Sequence, residues 1–441
     1  MVSLLSGAFF GLVPVVRAAA PQLGALKDGG RGVSDGRERH RARSALVVAE
    51  VALALVLLVG SGLMIRTFVS LRRVDPGFVR PGEVLTFRVA IPAAMTPGAE
   101  QTARTYEQIA RRLEQVPGVV AVGASDSITM DGNTDNEPTF FEDFPQPVGR
   151  LPAIRRFKWV TPGYFGTMGR RMVAGRDFTW TDVYTPTRVG IISEKLAREF
   201  WRRPSDALGR RLRSMPTGPW REIVGVVADE RDDGMARPAP SLAYWPFRQE
   251  SVFDQTDSVQ RSMGFVVRTT RLGSPGFLQE IQRAVWRVNP ALPLASVRTL
   301  AAIQSRSLAQ TSFALVMLGI AGVVALFLGL VGISSVIAYI ASQRTREIGI
   351  RLALGAGRGD IRRLLVAHGL TLTLAGLGVG LAAAMAVTRL MTALLVGVSP
   401  LDPATFAAVA VGLAAVALLA TYLPARRASG TDPVIALRSG T

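Results

Sequence analysis

FALVMLGIAGVVALFLGLVGISSVIAYIA, from Phe313 to Ala341, carries no charged side chain along its whole length. A helix needs roughly 20 apolar residues to cross the hydrocarbon core of a bilayer. A soluble helix that long keeps one polar face, and this stretch has none, so residues 313–342 are expected to span a membrane. Three further runs meet the same length. Residues 44–66 contain one charge ahead of the closing Arg66, Glu50; residues 364–388 contain only His368 as an ionisable group; residues 404–425 complete the set. Glu50 lies about a turn and a half inside its span. It is expected to reach back to the basic flank at the membrane surface rather than to form a buried proton or ion site.

Arginine sets the sidedness. It crowds residues 1–43 ahead of the first span (Arg31, Arg37, Arg39, Arg41, Arg43), the connection between the second and third spans (Arg344, Arg346, Arg351, Arg358, Arg362, Arg363) and residues 426–441 (Arg426, Arg427, Arg438). Basic residues in short flanks stay cytoplasmic, and four spans allow all three flanks to do so at once. Residues 67–312 then form an external domain.

The formal charge of +18 arises with only three Lys, and there is no Cys. Disulfides and Cys-held metals are therefore excluded. The two His, His40 and His368, are too far apart in sequence to suggest a metal site. The phosphate-cradling GxxxxGK[ST] loop is absent, so the chain is not expected to bind or hydrolyse ATP, and no catalytic residue, cofactor or metal is assigned. Aromatics do not interleave with the basic flanks as a nucleic-acid platform requires. Membrane lipid is the expected partner for the positive charge.

Two β-α-β units bound the external domain. Val84–Ile91, a helix over residues 97–115 and Val119–Ala124 make the first; the helix face is Tyr106, Ile109, Ala110, Leu113 and Val116. Gly264–Thr269, a helix from Ser274 to Val288 (capped by Ser274, with Pro275 first) and Leu294–Val297 make the second. Around a β-rich insertion at about 155–261 they predict a split ferredoxin-like arrangement. The insertion's strands are expected at Arg188–Ile192, Arg221–Val227 and Leu242–Trp245, with a helix at Glu194–Trp201. Residues 126–149 are expected to be a mobile loop. The carboxylates Asp131, Asp135, Glu142, Asp143, Asp229, Glu230, Asp232 and Asp233 are expected to be solvated. The fold class is thus membrane α-helical with four transmembrane helices, plus an external α+β domain.

The cytoplasmic connection, residues 343–363, reads QRTREIGIRLALGAGRGDIRR. Glu347 and Arg351 are an i, i+4 pair; Ile348 and Leu352 share one helical face, and Ile350 and Leu354 another. Gly355-Ala356-Gly357 ends this short helix, and a new one begins near Arg358 or Asp360. Such a helix either docks apolar anchors into a partner's groove or lies in the headgroup layer, and the residues leave both open. Gly376 and Gly380 form a GxxxG pair, expected to pack helices closely in a bundle or at a dimer seam.

The string TREIGIRLALGAGRGDIRRLLVAHG resembles the coupling segment of the MacB/FtsX-type permeases of ABC systems, and the order of one span, a large external domain and three spans matches as well. The resemblance implies a permease of the bacterial inner membrane with a periplasmic domain and an ABC ATPase partner. Arg346, Glu347, Ile348, Gly349, Arg351, Leu352, Leu354, Gly355 and Ala356 would make the ATPase contact. It also implies mechanotransmission or export, with a periplasmic adaptor or cargo. Pro14, Arg17 and Ala18 repeat as Pro424, Arg427 and Ala428, and Ala25, Leu26, Lys27 and Gly29 as Ala436, Leu437, Arg438 and Gly440. The opening residues thus look like the tail of a preceding permease unit, as in duplicated MacB-like permeases with a truncated first half, and imply a dimer or pseudo-dimer. A regulator of a periplasmic hydrolase and a membrane-anchored sensor or scaffold remain the alternatives.

Overall fold

The computed structural model describes residues 32–147, 149–185, 187–250, 256–343, 350, 357–392 and 395–428. The chain divides into two compact units, one of residues 1–63, 317–392 and 400–441 and the other of 64–316 and 393–399.

Four helices are long and apolar enough to cross a membrane: Arg41–Arg73, Thr311–Ile340, Gly359–Leu390 and Pro403–Arg426. Each is part of a helix that runs further in the chain, over Gly32–Arg73, Leu300–Gln343, Arg358–Leu390 and Pro403–Ala428. The first span is the central one. Half of its most apolar window is buried, against 17%, 28% and 22% for the others. Small residues explain the close packing. A Cβ on Gly376 would stand 2.7 Å from Val51 Cβ, and one on Gly380 would stand 3.0 Å from Ala52 Cα. The Gly376/Gly380 face therefore brings the third span to backbone distance from the first, the geometry that stabilises helix pairs in lipid. Gly62 admits the Thr405 methyl of the fourth span, and Gly322 admits Leu58 against the second. Phe313, Ile320, Val323 and Phe327 of the second span are more than half exposed, as suits side chains whose solvent is lipid.

The external unit is built on one 12-stranded sheet. β1 (Val84–Ala90), β2 (Val119–Ser125), β13 (Ser262–Thr269) and β14 (Ala295–Thr299) lie in the order β14-β1-β13-β2. All neighbours are antiparallel, and β1 and β2, like β13 and β14, are joined through a helix. That is the split ferredoxin-like arrangement. The register sets Phe87 opposite Phe265, their rings stacked at 5.5 Å, a favourable cross-strand pair. On the Ala99–Glu114 helix Tyr106, Ile109, Ala110 and Leu113 are buried. The Tyr106 hydroxyl donates to the Arg261 carbonyl at 2.8 Å, with the Val89 carbonyl 3.2 Å away, so its ring is buried without stranding a polar atom.

The second helix departs from expectation. It runs Phe277–Trp286 and is preceded by Gly276 at φ 77°, not capped by Ser274. A left-handed residue there costs a glycine little, and it displaces the start past Pro275.

The insertion is not a separate layer. β5 (Ile154–Val160) joins β2 through the single pair Ser125–Val160. The sheet continues through β10 (Leu242–Pro246), β7 (Val189–Ser193), β9 (Arg221–Val227) and β8 (Arg211–Arg213) to β4 (Phe140–Phe141). β4 and β3 (Asp135–Pro138, paired with β5) lie inside the segment expected to be a mobile loop. The Asp and Asn of β3 lower strand propensity, but pairing with an existing edge overrides it.

Candidate functional site

The expected contact residues Arg346, Glu347, Ile348, Gly349, Arg351, Leu352, Leu354, Gly355 and Ala356 lie outside the described residues, and so do most residues of the N- and C-terminal repeat. What flanks the contact segment is defined. Ile350 is helical and 45% exposed. Gly357, in extended conformation, precedes the Arg358–Leu390 helix, whose first turn carries Asp360; a carboxylate there complements the helix dipole.

Within the bundle the Glu50 carboxylate does not reach the basic flank. Its Oε2 is buried against the backbone face of the second span at Gly332, closer than a Cβ there would tolerate, and has no hydrogen-bond partner. Only a glycine leaves room for a carboxylate at that level. Two turns toward the N-terminus, the Arg43 guanidinium sits 4.3 Å above the Tyr339 ring, a cation–π contact. Gly369 lies against Thr421 and Ile337, and Ser334 donates to the Ala420 carbonyl at 3.2 Å. The second, third and fourth spans are therefore in mutual contact.

The external unit holds an ionic cluster where solvated charges were expected. Glu230 is 1% and Asp232 5% exposed. Lys158, in the middle of β5 between Phe157 and Trp159, is fully buried; its Nζ lies 2.5 Å from Asp232 Oδ1 and 3.2 Å from Glu230 Oε1. Arg170 lies 3.2 Å from Glu230 Oε1 and donates to the Tyr244 hydroxyl at 2.9 Å. That hydroxyl donates to Glu230 at 2.7 Å, and Thr129 donates to the other Glu230 oxygen. Arg156 pairs with Asp232 at 3.0 Å and also with Asp233. Burial alone would raise the Glu230 pKa, but Arg170 and Lys158 outweigh it and bring it down to about 2. Burial likewise works against the Lys158 ammonium, yet Asp232 and Glu230 hold its pKa well above the ordinary lysine value. Both groups stay charged across the physiological range. A buried charge is tolerable only when paired and hydrogen-bonded, so the cluster locks residues 229–233 onto β5 and β10.

Sequence reasoning missed this cluster; the one signal that could have found it is Lys158 between Phe157 and Trp159, since a lysine in a central strand needs a buried counter-charge. Among the described residues no group of three or more His, Asp or Glu could hold a metal ion. The charges here are spent on one another.

Comparison with known families agrees with this architecture. The MacB-like periplasmic core domain matches residues 44–271, just over half of the chain, and the FtsX-like permease C-terminal domain matches 319–433. The chain belongs to the MacB/FtsX-type ABC transporter permease family. It is an inner-membrane protein with several spans and a large domain of periplasmic type.

Its relatives include the macrolide export ATP-binding/permease protein MacB of Nitrosomonas europaea, 27% identical over 61% of this chain and 40% of that protein. They also include the uncharacterized ABC transporter permease YknZ of Bacillus subtilis, 26% identical over 78% of this chain and 82% of that protein. The chain spans about two-fifths of the length of the MacB relative. Among solved structures, the periplasmic region of MacB from Actinobacillus actinomycetemcomitans is similar with a TM-score of 0.34 and 12% identity. That likeness covers 54% of this chain and 97% of the other. The extracellular domain of YknZ gives 0.30 and 19%, covering 48% and 100%.

Proposed function

We propose that the chain is the permease subunit of an ABC system, coupling a cytoplasmic ATPase to movement of its periplasmic domain for export or mechanotransmission. The observation that carries this is the presence, in one chain, of the MacB-like core over 44–271 and the FtsX-like permease part over 319–433. The relatives whose names pair ATP binding with a permease support an ABC ATPase as the partner. In this reading ATP is bound and hydrolysed by the partner, and the chain itself is not an enzyme. Residues 346–349, 351, 352 and 354–356 receive the ATPase; Gly376 and Gly380 keep the receiving helix rigid against the first span. A second permease unit completes a dimer or pseudo-dimer, and a periplasmic adaptor or cargo meets the external domain.

The test is capture from detergent-solubilised native membranes, wild type against Ile348→Asp with Leu352→Asp. An ABC ATPase that co-purifies with wild type and is lost from the double variant supports the coupling. Absence of any ATPase from wild type in several mild detergents sinks it.

A further inference from the structure

Both chain segments that connect the membrane helices to the external sheet meet one loop. The helix of the first span ends at Arg73 and is followed by Val74, Asp75, Pro76 and Gly77. The Arg231 N–H donates to the Pro76 carbonyl at 3.0 Å. Gly77, at φ 86°, packs so tightly on Asp229 and Glu230 that a Cβ would stand 2.6 Å from Glu230 Cα. On the other side is the Leu300–Gln343 helix, which continues as the second span. Its Ser307 hydroxyl accepts the Met235 N–H at 3.0 Å, and a Cβ on Gly234 would stand 2.8 Å from Ser307 Oγ. Arg231 braces the loop internally, donating to the Met235 carbonyl at 3.1 Å and the Arg237 carbonyl at 2.7 Å. Phe78, Leu300 and Ile303, from the two connections, share a single core cluster.

We propose that residues 229–235 are the joint through which movement of the first and second membrane helices enters the external domain, with Glu230 and Asp232 as its positioning residues. An exposed loop held by backbone bonds alone would yield under load. This one is tied to β5 through Lys158 and to β10 through Tyr244, so a displacement at Pro76 or Ser307 reaches the centre of the sheet. The Met130 N–H, donating to the Asp232 carbonyl at 3.2 Å, carries the same displacement toward β3. The direction of the movement rests on the permease reading; the physical coupling of the two connections does not.

The experiment is amide hydrogen exchange on the full chain in lipid nanodiscs. Ser307→Ala removes one hydrogen bond, worth about 1 kcal/mol or roughly fivefold in an opening equilibrium. Exchange should therefore quicken by roughly that factor at 229–235 and also across the loop at 74–79, and Ser307→Thr should restore it. Ser312→Ala is the control, because that hydroxyl bonds only within its own helix, to Ala309. Coupling is reciprocal, so Gly77→Ala should quicken exchange at 304–309. Faster exchange confined to the turns around residue 307, with 74–79 unchanged, would overturn the proposal. No ATPase takes part, so this result and the capture experiment fail or succeed separately.

Discussion

Val51 and Gly376 touch across the first and third spans with no room for a methyl group between them: a Cβ on Gly376 would lie 2.7 Å from the Val51 Cβ and 3.1 Å from the Val48 carbonyl oxygen. Two residues away in the same helix, Gly378 has nothing within 4 Å. Gly376→Val should therefore cost about 1–3 kcal/mol through overpacking, whereas Gly378→Val should be close to neutral. Thermal unfolding of both variants in detergent separates them, and equal melting temperatures would contradict the packing.

Removing one member of the ionic cluster leaves buried charge with fewer partners than it needs. Lys158→Met takes one of two cations from each carboxylate, leaving Glu230 with Arg170 and Asp232 with Arg156, and should destabilise the external domain by about 3 kcal/mol. Arg104→Ala, which breaks an exposed pair with Glu100 and a ring contact with Tyr184, should have a far smaller effect. The tryptophan fluorescence of Trp159 and Trp245, both buried in that domain, reports the transition.

The same cluster sets an acid limit. The Glu230 pKa is lowered from 4.5 to about 2 on folding, so the unfolded chain takes up its proton first as pH falls. The stabilisation is present above pH 4.5 and is lost between there and pH 2. Glu230→Gln should abolish that part of the acid dependence while lowering stability at pH 7.

Asp126 works in the opposite sense. Burial raises its pKa from 3.8 to about 7, although the Trp159 N–H donates to it. The unfolded chain loses this proton first, so its contribution declines as pH rises from about 4 to 7 and is level above. Asp126→Asn keeps an acceptor for Trp159. Its melting temperature relative to wild type should climb by a few degrees between pH 4.5 and 8; a difference independent of pH would contradict the assignment.

Glu50 holds a buried carboxylate oxygen without a partner in the bundle. Glu50→Gln should raise the melting temperature of the purified protein by removing a charge that is costly in a membrane interior. Gly332→Ala should lower it, because the added methyl group meets the Glu50 oxygen. A lower melting temperature for Glu50→Gln would mean that the charge itself is compensated.

Which parts of this protein can be read along the chain follows from the range of the forces involved. Residues 313–341 announce a membrane helix because apolar length is a local property, answered by the bilayer whatever the rest of the chain does. The β-α-β units around Val84–Ser125 and Ser262–Thr299 are legible for the same reason: period-2 and period-3.6 patterns lie within single elements, and two such units admit few sheet orders.

The ionic cluster was not legible. Glu230 and Asp232 sit in a polar run that reads as a solvated turn, and only when β5 and β10 become neighbours in the sheet does Lys158 come within 2.5 Å of Asp232. The single pair Ser125–Val160 likewise merges the insertion with the ferredoxin-like sheet, which strand patterns on either side cannot announce. Sequence by itself determined that four segments are long and apolar enough to span a membrane and laid out the strands and helices of the two β-α-β units. Only the tertiary structure decided which charges are buried and which glycines stand at contacts, because desolvation and steric exclusion depend on neighbours far away along the chain.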